Sequence, residues 1–265
     1  MNLLFIGSTI ACICYLIASV AIVTRLFHPK GPNHTLVLLL GSIALLAHSN
    51  NNLQLLFSHN SINFNLPNVI SLVSLTIAFI VSVASVRFKV SLLLPVIYLF
   101  AGLWQLIMLL LPPIPAIPLV GEPSFLAAHI TLALIAYCLL IIATLFAFQV
   151  AYINVKLKNK NLIAVSHLPP LMQVEQQLFF ILSVGTFCLF CSELSGFLFL
   201  EDLLSKERAH KTLLSLLALL TYSVILWGHF RQGWRGHRVL VLTITATSLL
   251  TLSYFGSRFV KEFIL

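Results

Sequence analysis

Eight apolar runs, separated by short polar breaks, take up almost the whole chain: 3–23, 35–57, 66–86, 91–111, 125–153, 178–200, 212–228 and 239–260. Each has about the 20 residues that a helix needs to cross the hydrocarbon core of a bilayer. They are continuous rather than alternating, which excludes the strands of a membrane β-barrel. The breaks carry residues that stop helices. His28-Pro29-Lys30-Gly31-Pro32-Asn33 and Pro112-Pro113-Ile114-Pro115-Ala116-Ile117-Pro118 cannot continue one. Asn50-Asn51-Asn52 falls inside the second run and makes its end uncertain by several residues. The expected fold is all-α: a polytopic transmembrane helical bundle of eight spans, forming a single transmembrane domain over 1–265.

Composition agrees. Only 8% of the 265 residues are charged, 60% are hydrophobic, and mean hydropathy is +1.05. A soluble domain is about a quarter charged. A water-soluble enzyme, a disordered chain and a nucleic-acid-binding domain are excluded. The net charge of +8 reports instead on which loops face the cytoplasm. With the first loop inside, inner segments hold Arg25, Lys30, Arg87, Lys89, Lys156, Lys158, Lys160, Arg231, Arg235 and Arg238, ten residues; outer segments hold Lys206, Arg208, Lys211, Arg258 and Lys261, five. Loops 58–65 and 112–124 hold none. This alternation predicts both termini outside. The N-terminus lacks a basic stretch before Leu3 and its apolar run is long for a signal peptide, so the first helix is expected to be retained. No internal repeat is evident. The longest inner loop is expected at 156–173 and the most charged outer one at 201–211.

All five cysteines, Cys12, Cys14, Cys138, Cys188 and Cys191, fall within expected spans. Cys188-x-x-Cys191 has redox spacing, but Phe187, Leu189 and Phe190 surround it, and apolar surroundings disfavour the reactive thiolate. Both read as packing residues. Cys12 and Cys14 are two apart and diverge on a helix.

Ionisable groups inside spans are costly and are candidates for function. His48, His129 and Glu193 qualify, and His210 stands just before the seventh span. On the expected topology three of the nine histidines, His48, His129 and His210, reach a similar depth toward the outer face. A neutral imidazole can ligate haem iron, zinc or copper, or can simply bond to water and headgroups. Glu193 can neutralise Lys211 or Arg208, or carry a proton. The other loop histidines read as solvated, and the inner arginines and lysines as topology signals or phospholipid contacts.

The last third is more specific. Gly233-Trp234-Arg235-Gly236-His237-Arg238, one further span, and Tyr254-Phe255-Gly256 resemble the tail of the CcsA-type cytochrome c assembly family of integral membrane proteins. Ala128-His129-Ile130 with Ala136-Tyr137 resembles that family's external-histidine helix. The likeness covers roughly 60–265, and the eight-span length is similar to the short YpjD/HemX-like subgroup. The family's outer loop has the form W-G-x-x-W-x-W-D. Here it reads Ser195-Gly196-Phe197-Leu198-Phe199-Leu200-Glu201-Asp202: Gly196 and Asp202 match, while Ser195, Phe199 and Glu201 replace the tryptophans. The family's second external histidine, beyond the final span, has no counterpart before Leu265.

The resemblance implies haem, bound non-covalently at the outer face of a bacterial inner membrane, with membrane lipid and other cytochrome c assembly proteins as partners and nucleic acid as none. The lost tryptophans point to an accessory role rather than a full ligase, and more to a non-enzyme than an enzyme. His129 and His210 are the expected ligands of the haem iron, with His48 in reserve. Phe197 and Phe199 are expected as apolar walls, beside the matching Asp202. Lys206, Arg208 or Lys211 would pair the propionates. The alternative is a small-solute or ion transporter, for which Glu193 is the one relay-like carboxylate and no inverted repeat with broken helices is visible.

Overall fold

The computed structural model describes residues 3–26, 28, 31–56, 65–88, 92–111, 123–159, 169–199, 209–256 and 259. Eight long helices run through them: α1 (Leu3–Val23), α2 (His34–Leu56), α3 (Leu66–Arg87), α4 (Leu93–Leu110), α5 (Pro123–Lys158), α6 (Leu171–Phe199), α7 (Ala209–Gln232) and α8 (His237–Thr251), the last continued by a π-helical turn at Leu252–Gly256. All eight are long and apolar enough to cross a membrane, and the described residues contain no strand. This is the all-helical architecture expected. In lipid the backbone has no water to bond to, so each span must satisfy its own N–H and C=O groups as a helix.

The helix ends follow local chemistry. Asn65 caps α3 by accepting the Asn68 N–H at 3.1 Å, with Pro67 in the first turn. Asn50-Asn51-Asn52 does not break α2, which runs on to Leu56. Helices α5, α6 and α7 outrun their apolar segments at one or both ends. Lys156 and Lys158 are helical, as are Leu171 and Gln173, so the inner connection is shorter than 156–173. Hydropathy marks the bilayer slab, while lysine is a good helix former and is favoured in a last turn.

The chain divides into two compact units, Met1–Val120 with Ser166–Leu168, and Gly121–Val165 with Pro169–Leu265. In the first, α1 packs on α2 and α4, and α3 packs on α2 and α4, so each helix has two neighbours in a closed four-helix ring. The second repeats that pattern: α5 packs on α6 and α8, and α7 packs on α6 and α8. The sequence carries no evident recurrence, because the shared feature is the order of neighbours rather than the residues. Small side chains let the helices approach. Ala18, Ala44 and Ala101 are fully buried in the first unit, and a Cβ at Gly41 would strike the Tyr98 hydroxyl. Outward, Leu46, Leu110 and Phe230 are each more than 70% exposed. Such surfaces suit lipid and not water. Serine and threonine are carried within the spans by donating to the carbonyl one turn back, as Ser42 does to Leu38 at 2.7 Å and Thr221 to Leu217 at 2.8 Å.

Candidate functional site

His129 lies in the second turn of α5, partly buried. Its Nδ1 is 2.9 Å from the Ser195 hydroxyl, near the end of α6. The single hydroxyl proton of Ser195 is donated to the Ser192 carbonyl at 2.7 Å. With its proton on that carbonyl, its oxygen can accept from an Nδ1–H of His129, whose ring also bonds to the Ser192 backbone. A metal-ligating histidine is held in this way, with one ring nitrogen donating to a fixed acceptor and the other presented to the ion. Ser195 is the residue that stands in place of the first tryptophan of the outer-loop motif; the sequence offers its position but not this role.

The other expected site residues are placed as follows. His210 is exposed in the first turn of α7, in the same unit as His129. Phe197 is half-exposed on the last turns of α6. Phe199 ends that helix, and its side chain lies outside the described residues, as do Asp202, Glu201, Lys206 and Arg208. His48 belongs to the first unit, where it is fully buried. Its Nε2 is 3.0 Å from the Ser71 hydroxyl and its Nδ1 3.4 Å from that of Tyr15, so both ring nitrogens are engaged. Glu193 is partly buried and hydrogen-bonds with Ser215 of α7. Among the described residues no three His, Cys, Asp or Glu side chains gather to hold a bare metal ion. All five cysteines are free thiols, with Cys12 buried and Cys14 partly exposed.

Below His129 a hydroxyl chain with a fixed direction ties α5, α7 and α8 together. Thr144 donates to the Leu140 carbonyl at 2.8 Å, so it accepts from Thr247 at 2.6 Å, and Thr247 accepts from Tyr222 at 2.7 Å. Thr251 donates to the Thr247 carbonyl at 2.7 Å and accepts from Tyr137 at 3.0 Å. The Tyr137 ring meets Tyr254 and Phe255, with centroids 5.7 and 5.3 Å apart. The two family-like segments Ala136-Tyr137 and Tyr254-Phe255-Gly256 thus form one packed cluster.

The Gly233-Trp234-Arg235-Gly236 turn is equally concrete. Gly233 and Gly236 have φ of 68° and 66°, which favours glycine. The turn folds Trp234 back so that its ring covers Gly228, where a Cβ would collide with it. Its carbonyl takes a hydrogen bond from His229 Nδ1 at 3.1 Å, and the His229 ring stacks on Phe179 at 3.3 Å. Arg235 Nε is 3.8 Å from Glu175 of α6. His229 and Glu175 pack against the motif from outside it in sequence and carry no signal of their own.

A model of the cytochrome c assembly protein family matches residues 36–265. The chain is 40% identical to the Inner membrane protein YpjD of Escherichia coli K12 over 202 residues, 76% of each chain, and equally so to that of Escherichia coli O157:H7. It is 30% identical over 149 residues, 55% of each chain, to an uncharacterized 28.8 kDa protein of Azospirillum brasilense. No solved structure matches it. Eight spanning helices and this likeness make it a multi-pass inner-membrane protein. With Tyr137 packed on the Tyr254-Phe255 segment, the Gly233–Gly236 turn locked by Trp234, and the family match running over both, the chain belongs to the cytochrome c assembly protein family.

Proposed function

We propose that this protein binds haem non-covalently through His129 and serves cytochrome c assembly as an accessory haem-handling protein rather than a full ligase. The observation that carries the reading is the Ser195 hydroxyl at 2.9 Å from Nδ1 of His129; with Nδ1 as the donor, Nε2 keeps the lone pair that iron requires. Haem, when bound, would supply an iron that accepts an imidazole nitrogen, and His129 would hold it. Ser195 would fix the tautomer of His129, and Phe197 and Phe199 would offer apolar walls beside Asp202. His210 is the second ligand. His48 ranks behind both, because Ser71 and Tyr15 already occupy its nitrogens. Lys206, Arg208 or Lys211 pair the propionates, which are carboxylates in need of cationic donors. Serine, phenylalanine and glutamate in place of three tryptophans remove indole donors and stacking area, which favours the accessory role over thioether formation. The site faces the outside of the inner membrane, with both termini on that side, and other cytochrome c assembly proteins are its partners.

Two measurements test this. Haem-loaded, purified protein shows a Soret band that His129→Ala abolishes or strongly shifts and added imidazole partly restores; an unchanged spectrum overturns the assignment. A reporter active only in the cytoplasm, fused after Leu265, gives no signal; a strong signal reverses the orientation.

A further inference from the structure

Helices α6 and α7 part along the middle of the second unit and leave a groove of about 570 Å³ between them. Its walls are Phe187 and Phe190 of α6 and Leu216, Leu219, Leu220 and Leu226 of α7; Phe187, Phe190 and Leu220 are each more than half exposed. Three hydroxyl residues also line it, but each spends its proton on its own helix. Ser183 donates to the Phe179 carbonyl at 2.8 Å, Thr186 to Leu182 at 2.7 Å and Ser223 to Leu219 at 2.8 Å. The walls therefore present hydrocarbon and no free donor. Leu216 and Leu226 are ten residues apart, about 15 Å along a helix. Half of a hydrocarbon core of about 30 Å has the same length.

The same seam ends among cations. Beyond Leu226 the side of α7 that faces away from the bundle continues through exposed Trp227 and Phe230 to exposed Arg231, one turn after Trp227. Exposed tryptophan followed by arginine marks the depth at which hydrocarbon gives way to headgroups. Lys156, Lys158, Arg231, Arg235 and Arg238 all lie at this end of the unit. Asn154 brings α5 there, its Nδ2 being 4.0 Å from where a Gly236 Cβ would stand. Among the described residues Glu175 is the one carboxylate at this end, and it is engaged by Arg235 at 3.8 Å. The chemistry selects the occupant. A free phosphate has no use for the groove, and a zwitterionic lipid brings no net charge to the arginines. A second copy docked about a two-fold axis along the membrane normal would set the same cations against each other. An amphiphile with a hydrocarbon chain of half-bilayer length and an anionic head suits both parts.

We propose that the α6–α7 groove and the arginine beyond it form one binding site for an anionic phospholipid, with an acyl chain against Phe187, Phe190 and Leu220 and the phosphate at Arg231. The other cations of that end add to the attraction without touching the lipid. The lipid then fills the seam between two helices of the bundle and ties the second unit to membrane composition.

Native mass spectrometry of the full-length protein, released from nanodiscs of equal parts phosphatidylglycerol and phosphatidylcholine, tests this. The unsubstituted protein is expected to retain one phosphatidylglycerol in preference to phosphatidylcholine; retention of neither, or of both equally, overturns the proposal. Arg231→Gln removes one charge at the surface and is expected to cut that preference about fivefold. Ser223→Trp fills the groove, leaves every arginine in place and is expected to abolish retention. Both positions are exposed, so neither variant disturbs the core. If either variant retains the lipid as the unsubstituted protein does, the site is wrongly placed and the proposal fails. Millimolar glycerol 3-phosphate, an anionic head without chains, is expected to leave the lipid bound; displacement makes this a phosphate site and overturns the lipid. A dimer that Ser223→Trp breaks makes a second copy the occupant of the groove, and overturns it equally.

Discussion

The two four-helix units are built on the same order of neighbours, yet they hold their histidines in opposite ways. In the first, His48 is fully buried and both its nitrogens are bonded, to α1 through Tyr15 and to α3 through Ser71. In the second, His129 is only partly buried, at the end of its unit's bundle, with Nδ1 bonded to Ser195 and a further bond to the Ser192 backbone. A histidine with both nitrogens spent on protein hydroxyls is a crosslink between helices. A histidine with one nitrogen fixed and the other bearing a lone pair is equipped to ligate. Being an ionisable residue inside a span does not separate the two cases; the extent of burial does.

The contrast can be broken most directly by treating the two residues alike. His48→Ala leaves a cavity and strands two hydroxyls, and is expected to cost about 2–4 kcal/mol of stability, while His129→Ala costs less than about 1. Chemical unfolding of both variants in detergent checks this, and equal losses would erase the distinction. Ser195→Ala sharpens it from the other side. Removing the acceptor of Nδ1–H frees the ring to change tautomer, so haem affinity should fall roughly tenfold with stability nearly unchanged. Titration of haem by absorbance measures it; unaltered affinity would show that Ser195 does not orient the ring. Tyr222→Phe interrupts the hydroxyl chain of the second unit at its first donor and is expected to cost about 0.5–1.5 kcal/mol, typical of hydrogen bonds between spanning helices. No loss in a thermal melt would mean that the chain is not cooperative. The smallest effect belongs to Arg235→Ala. Its contact with Glu175 is long at 3.8 Å and Arg235 is 61% exposed, so the loss should stay below about 1 kcal/mol and shrink further in salt.

How much could be read in the amino-acid order differs between the units as well. Helix count and most boundaries follow from the apolar runs: α1 coincides with 3–23, and α2 differs from 35–57 by one residue at each end. The candidate His129 was visible as an ionisable residue in a span, beside segments that resemble a family. Ser195 was visible only as a departure from that family's tryptophan. Asn51 and Asn52 looked like a helix interruption, and Gln105 was one polar residue in an apolar run. Nothing local distinguishes an amide that ends a helix from one that turns into a bundle.

The sequence by itself therefore determined that the chain spans a membrane eight times as helices. Length, apolarity and the need of every backbone group for a partner in lipid leave no other arrangement. Tertiary structure decided which polar side chains meet. Ser195 is 66 residues from His129, Ser71 is 23 from His48, and Gln105 is 34 from Ser71. A hydrogen bond has a range of about 3 Å, and no periodicity along one helix encodes which residue of another will stand at that distance. The Ser195 partner of His129, the crosslink at His48 and the polar interior of the first unit are all consequences of packing between helices.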